Sequence, residues 1–586
     1  MTSNFFLTRP VTLQSFALSA PVGSGKTRAA IEYIAKPHLK DQNFIYVAPT
    51  VDLIKQTAGD LRKKLAAAPG HEVRNVNLIH STRDDEEARH GPVGVEALDR
   101  INEVDGHEGQ VVIVTTKTFL TILSAIRSPG IWHVILDEAF SPATFQQFSL
   151  GYDIGDGWQY FTDVFDIDTE QGHRIVPREG KRDLVRDIAA GRVNRTGEKY
   201  TPLRPIAEQA SNPALRCELV LTDKAKSLLG GSIPSVAGDK DNVLSFASYV
   251  APEYFAGFFE VLFLSALFEQ TVLYHLWTKA LGVTFTRHQG FPEEFLRDTH
   301  GEQGRFIEVG HLLHEGDNAS KHNLSRNIFT GEPEEGQKGV RVIDRLVADA
   351  ALHFGANRFL LQVNKEYGYE TGTPLFPQNA ERIPTFAHGR NKWADYDNVA
   401  ALAVTNPNPQ QMEWVMSRTG MSASEVTHSY RIHTSYQAFG RCSIRNSVPT
   451  TSSKRCLTIG AADARFIAAQ FPGSRWLGKV GSMPPLRELG GHDKAPSVTD
   501  ETAQTIREYL NKLDHNVSTI SIRSVKGVLQ PDVLSGTWTR ATTRACHRGS
   551  GWMKEGQRFI RVGAAYFGFE SHQGDDDQTS PSHLTE

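Results

Sequence analysis

Ala20-Pro21-Val22-Gly23-Ser24-Gly25-Lys26-Thr27 decides the fold of this chain. An apolar run, Ser15 to Ser19, leads into it, and a helix-forming run, Arg28 to Ala35, leads out. Glycines let backbone N–H groups approach phosphate oxygens at close range, and the helix N-terminus that follows adds partial positive charge. Gly23, Ser24, Gly25, Lys26 and Thr27 are therefore expected to form a nucleotide-binding loop. Lys26 is placed to reach the β- and γ-phosphates of ATP, and the Thr27 hydroxyl to hold Mg²⁺. A strand, a glycine loop and a helix in succession put such a site at the carboxyl edge of a parallel sheet.

Two later segments complete the chemistry. Trp132-His133-Val134-Ile135-Leu136 is an apolar strand that runs into Asp137-Glu138-Ala139-Phe140. Beside a phosphate loop, Asp137 is expected to orient the Mg²⁺ shell and Glu138 to polarise the attacking water or accept its proton. Without that loop, the same residues would read as a strand ending in a solvated acidic pair. Far downstream, Gln437-Ala438-Phe439-Gly440-Arg441-Cys442-Ser443-Ile444-Arg445 offers positive charge from a different structural unit. Arg441 and Arg445 are four apart, with Gln437 one turn earlier. If the segment is one helix, all three share a face and the guanidinium groups can clamp a transition state. A solvated basic helix is the alternative reading.

Taken together, these residues resemble the superfamily 2 DNA and RNA helicases. The similarity spans about residues 14 to 446 and includes weaker matches in the family's order. Ala48-Pro49-Thr50 is similar to motif Ia and Thr115-Thr116 to a later strand-contact motif. Phe263-Leu264-Ser265-Ala266-Leu267 is similar to motif III, Phe359 to Asn364 to motif IV, and Gly389-Arg390-Asn391 with Asp397-Asn398-Val399 to motif V. The resemblance implies an α/β fold of two tandem RecA-like lobes with ATP and Mg²⁺ between them, and nucleic-acid contacts at Thr50 and Thr116. It also implies catalytic roles for Glu138, Gln437, Arg441 and Arg445. Departures are visible: Arg445 stands one position later than the family's second arginine, and Ser265-Ala266-Leu267 replaces the usual Ser-Ala-Thr. Only a short run precedes the phosphate loop, and Gln14 is its nearest substitute for an adenine-reading glutamine.

With 586 residues the chain exceeds one comfortable core. Strand candidates at Ser15–Ser19, Phe44–Val47, Val111–Val114, Val134–Leu136 and Val261–Leu264 alternate with helical sequence, the pattern of a parallel sheet. We place a first lobe at 1–300, with an insertion at about 141–255, and a second lobe at 301–455. In the insertion, Asp168 with Glu179-Gly180-Lys181 can be forced into a metal-nuclease pattern, but such short matches are common. An accessory domain is expected at 456–565 and a disordered acidic tail at 566–586. In the accessory domain, Thr499–Leu513, Ser521–Leu529 and Thr537–His547 read as helices and 551–562 as a hairpin, an order that resembles a winged helix. Arg540 and Arg544 on its last helix, and Lys554, Arg558 and Arg561 near its wing, are expected to meet phosphates.

The net charge of −4 excludes a globally basic binder but allows a local basic groove. Cys217, Cys442, Cys456 and Cys546 are widely spaced, which gives neither a zinc pattern nor a disulfide framework. Phe5 to Ala20 ends like a signal cleavage site, but Arg9 and Pro10 interrupt it and cleavage would strip the phosphate loop of its strand. The apolar stretch Tyr254 to Trp277 carries Glu260, Glu269 and Gln270, well short of the roughly 18 uninterrupted apolar residues a membrane span needs. A cytoplasmic helicase or translocase, acting on DNA rather than RNA, is the expectation. A P-loop motor or switch without unwinding, and a DNA-binding replication or regulatory protein, are the other functions that fit these residues.

Overall fold

The computed structural model describes residues 13, 15–68, 74–80, 92–151, 154–170, 172–193, 198–233, 242–328, 339–386, 392–446, 451–489, 498–514, 517–529, 538, 541–542, 545–546, 552–555 and 557–561. The chain divides into two compact units, residues 1–325 with 340–489, and residues 326–339 with 490–586.

The first unit is built on two parallel sheets. One has seven strands in the order Phe285–Thr286, Ser15–Ser19, Glu260–Ser265, Trp132–Asp137, Asn43–Ala48, Val111–Thr115, Val76–Ile79. Every neighbouring pair in it is parallel. Its three central strands, Asn43–Ala48, Trp132–Asp137 and Glu260–Ser265, are buried at every position, which is why apolar residues dominate them. The two outermost strands escape sequence reading: Val76–Ile79 is only half-buried and Phe285–Thr286 has two residues.

At the amino edge of this sheet, opposite the phosphate loop, Glu260 pairs in register with His133. Its carboxylate is met by His133 Nδ1 at 2.7 Å, by His288 Nε2 at 3.0 Å and by the Tyr33 hydroxyl at 2.8 Å. Burial alone would raise the Glu260 carboxyl. Its hydrogen bonds to both imidazoles overcome that and hold it at about 2.

The insertion forms a separate five-stranded antiparallel sheet in the order Ala143–Ser149, Val243–Val250, Leu215–Leu219, Arg174–Pro177, Phe165–Asp168. Phe161, Phe165, Phe246 and Leu244 centre its core. One face also packs on the helix Pro409–Thr419, where Trp414 meets the rings of Phe145 at 5.5 Å and Tyr249 at 5.7 Å. Arg418 of that helix pairs with buried Glu218, which also accepts from the Tyr249 hydroxyl at 2.6 Å.

The second parallel sheet has the order Ala380–Ile383, Phe359–Gln362, Asn398–Ala401, Lys454–Thr458, Ile307–His311, Arg475–Lys479. This corrects the expected lobe boundary at 455. Lys454–Thr458 is an interior strand, and the helix Ala461–Gln470 and the strand Arg475–Lys479 complete the lobe. Motif IV lies on the interior strand Phe359–Gln362, whereas Gly389, Arg390 and Asn391 fall outside the described residues.

In the second unit, helices Val498–Lys512 and Ile522–Leu529 pack with a three-stranded antiparallel sheet, Thr519–Ser521, Arg558–Arg561, Trp552–Glu555. Ile506, Leu510, Val525, Trp538 and Phe559 form its core. Arg540 and Arg544 lie outside the described residues, as do Gln14 and the expected tail. Arg558 is exposed. Arg561 is not left for a phosphate: it donates to the Leu513 carbonyl at 3.0 Å and its guanidinium lies 4.8 Å from the centre of the Trp552 ring. Among the described residues no helix is long and apolar enough to cross a membrane.

Candidate active site

Lys26 opens the helix Lys26–Ile34, and Gly25, left-handed at φ 94°, is the residue before it. Gly23 is also left-handed, at φ 74°. Both are conformations that residues with a Cβ rarely adopt, so the loop's shape needs these glycines. Lys26 Nζ donates to the carbonyls of Ala20 at 2.9 Å and Pro21 at 3.0 Å. Burial lowers its pKa, with Glu138 and Asp137 opposing.

Asp137 ends its strand directly beneath this helix. One of its oxygens accepts from Thr27 Oγ1 at 2.6 Å and from the Tyr46 hydroxyl. Burial raises the Asp137 carboxyl and Glu138 adds to that rise, while Thr27, Tyr46 and Lys26 pull the other way. The next residue, Glu138, has φ 90°, a left-handed backbone held by its N–H donating to the Leu264 carbonyl at 2.7 Å. Such strain, on the order of 1–3 kcal/mol, persists where the surroundings impose it and tends to cluster at functional sites.

The second lobe supplies the opposite wall. Its helix His433–Phe439 stops at Gly440, and Ser443–Arg445 is a separate 3₁₀ turn. The expected single helical face from Gln437 to Arg445 is therefore corrected. A break at Gly440 separates the two arginines, and both still line one cleft of 780 Å³ with Lys26, Asp137, Glu138 and Gln437. Position 440 requires glycine, because a Cβ there would come within 2.5 Å of Val22 Cβ in the phosphate loop.

Gln437 Nε2 lies 3.4 Å from Glu138 Oε2, and Arg441 Nη2 donates to Gln437 Oε1 at 3.3 Å. Ser265 Oγ approaches the same Glu138 oxygen at 3.5 Å. A polar chain thus runs from motif III through Glu138 to the second lobe. Arg441 is 6% exposed; burial lowers its pKa while Glu138 and Asp137 raise it. Burial brings Arg445 down to about 9, helped by repulsion from Arg441 and Arg297.

Three participants carry no sequence signal that we used. His433, one turn before Gln437, bonds the Ala266 carbonyl of motif III at 3.0 Å. Tyr436 accepts from the Val22 N–H at 3.2 Å. Arg297, in the segment joining the lobes, also lines the cleft. Thr50 and Thr116 lie elsewhere. They follow the neighbouring strands Asn43–Ala48 and Val111–Thr115 at the same carboxyl edge, outside the nucleotide cleft. The Thr50 hydroxyl caps its helix by accepting from the Leu53 N–H at 3.3 Å. The cap of the next helix is Thr115 rather than Thr116.

The cleft fits a nucleoside triphosphate with a divalent cation. Among the described residues, the buried Arg441 Nε and Ser24 Oγ have no hydrogen-bond partner, which is costly unless an anion or water completes them. Thr27 and Asp137 are hard oxygen donors suited to Mg²⁺.

A phosphate-binding loop on one parallel-sheet lobe, faced by arginines from a second, defines a two-lobed P-loop NTPase. More narrowly, residues 8–141 match the family model of the DEAD/DEAH box helicases. No curated protein matches the chain by sequence. Among solved structures it is similar to S. cerevisiae Dbp5 bound to RNA and ADP BeF3, at 10% identity over 82% of this chain and 88% of that one, TM-score 0.31. It is also similar to Mss116p bound to ssRNA and AMP-PNP, at 11% identity over 90% and 82%, TM-score 0.29. A third is the Mycobacterium smegmatis helicase Lhr bound to ssDNA and AMP-PNP, at 10% identity over 91% and 51%, TM-score 0.30. At these scores the likenesses add no weight to the family match.

Proposed function

We propose that this chain is an ATP-driven motor on nucleic acid, a helicase or translocase whose track is DNA. The observation that carries this reading is the contact of Gln437 with Glu138, because it joins the candidate water-polarising carboxylate of one lobe to Arg441 of the other.

Lys26 and the backbone of Gly23 to Gly25 bind the phosphates. Thr27 and Asp137 hold Mg²⁺, whose charge offsets that of the phosphate oxygens when it is bound. Glu138 accepts a proton from the attacking water, and Gln437 fixes its carboxylate. Arg441, with Arg445 beside it, stabilises charge that grows during transfer and ties hydrolysis to the approach of the lobes. Thr50 and Thr116 contact a strand backbone, a reading supported by their following neighbouring strands at the carboxyl edge. The reading of DNA rests on the sequence order of helices and hairpin over residues 499–562, which resembles a winged helix, and is supported by the exposed Arg558.

The test is ATP hydrolysis measured with no nucleic acid, with single-stranded DNA and with single-stranded RNA, followed by a strand-displacement assay. We expect stimulation by DNA above that by RNA. Stimulation by RNA alone would overturn the choice of track, and no stimulation by either would overturn the motor.

A further inference from the structure

We propose that Arg297 is a positioning residue that sets the phosphate loop and the Arg445 turn in register with each other; this rests on the ATPase reading above. Arg297 lies in the segment that leaves the first lobe, between the short turn Glu293–Phe295 and the helix Thr299–Gln303.

Three consecutive carbonyls of the phosphate loop are bonded to this segment. Val22 O accepts from Thr299 Oγ1 at 3.2 Å, Gly23 O from Arg297 Nη2 at 2.8 Å, and Ser24 O from the Arg297 N–H at 2.9 Å. In a planar trans peptide, each carbonyl points opposite to the N–H that follows it. Turning the Val22 and Ser24 carbonyls towards the linker therefore directs the amides of Gly23 and Gly25 the other way, as an anion-binding nest requires, while the Ser24 N–H donates to the Pro21 carbonyl at 3.3 Å. The linker is a brace along one side of the phosphate loop, and its Arg297 also reaches the cleft.

The same Arg297 Nη2 also donates to the Arg445 carbonyl at 2.9 Å. One nitrogen thus holds main-chain atoms of both nucleotide-facing walls. The fit is close: a Cβ built on Gly23 would lie 3.1 Å from Arg445 Cβ. With Arg297 in place, the Arg445 turn has one position relative to the loop. Without it, the loop loses part of its brace and Arg445 loses its reference point.

These two attachments have separable consequences. In Arg297→Ala, the loosened loop should weaken binding of a fluorescent ATP analogue several-fold, and the displaced Arg445 should lower kcat about tenfold. In an Arg445→Ala background, Arg297→Ala should lower kcat no further, while the loss of analogue affinity should persist. That non-additivity is the sign of one residue acting through another. A purely structural residue would lower the thermal midpoint and give additive losses. Arg297→Gln, whose shorter amide cannot span both carbonyls, gives the same readout should Arg297→Ala fail to fold. Additive kcat losses, or unchanged affinity and kcat in either variant, would overturn the proposal. Lys26→Ala serves as the control: if it hydrolyses ATP normally, the ATPase reading fails. If it is inactive while the Arg297 variants match wild type, only the role of Arg297 fails.

Discussion

Glu138 combines an unusual backbone with an unusual set of neighbours. Its φ of 90° turns the carboxylate off the end of the strand towards Ser265 and Gln437, whereas an ordinary β continuation would carry it along the strand direction. Glu138→Gln preserves the shape and removes the proton acceptor. Turnover should fall roughly 10²–10⁴-fold while nucleotide binding is retained, in contrast to Lys26→Ala, which should weaken binding itself. Single-turnover hydrolysis and nucleotide titration of the two variants separate these effects, and wild-type turnover in Glu138→Gln would remove Glu138 from the chemistry. Residues of this kind are legible in a sequence because their chemistry fixes both type and spacing, as with Lys26, Thr27 and Asp137. Arg297 was not legible, because a linker arginine that bonds main-chain carbonyls obeys no spacing rule. Arg561 was misjudged for a related reason: the sequence shows its charge, but not that Trp552 and the Leu513 carbonyl occupy it.

Among elements, most of the first-lobe strands that read correctly are buried on both faces and so mostly apolar, whereas the part-exposed Ser15–Ser19 was legible from the phosphate loop that follows it. Lys454–Thr458 defeated that signal because it begins with Lys454 and Arg455, although Lys454 is fully buried and Arg455 reaches the Asn398 side chain at 3.0 Å. Helix length was overestimated at motif VI: the four-residue spacing of Arg441 and Arg445 fits one helix, but the helix stops at Phe439 and Ser443–Arg445 is a separate turn. The strand Glu260–Ser265 carries a consequence for acid stability. Glu260 is held at about 2 against an ordinary 4.5, so the folded chain keeps this carboxylate ionised more tightly than the unfolded chain does. Its contribution, on the order of 3 kcal/mol, is present above about pH 4.5 and is lost as pH falls towards about 2. Urea unfolding between about pH 5 and pH 3 should show wild type losing stability more steeply than Glu260→Gln. Parallel curves would mean that the His133–Glu260–His288 group makes no such contribution.

At the scale of the whole first unit, the two parallel sheets do not meet at the nucleotide cleft alone. The insertion, part of the first lobe by sequence, also packs against the helix Pro409–Thr419 of the second through Trp414 and the Glu218–Arg418 pair. The existence of an insertion was legible from its length and composition. Its docking was not, since a buried Glu218 looks like any surface glutamate until its arginine is found some two hundred residues away. The two-lobed plan was legible because Arg441 and Arg445 stand over four hundred residues after Lys26, and the motifs between them follow the order of the family they resemble. That plan is the central claim. It is tested most directly by ATP hydrolysis in Arg441→Ala, measured with saturating single-stranded DNA alongside the affinity for a fluorescent ATP analogue. The two-lobe site predicts a sharp loss of stimulated hydrolysis, on the order of 10³-fold, with affinity changed far less, and poor rescue by Arg441→Lys. Stimulated hydrolysis at the wild-type rate in Arg441→Ala would contradict it, leaving the second lobe without a part in the chemistry.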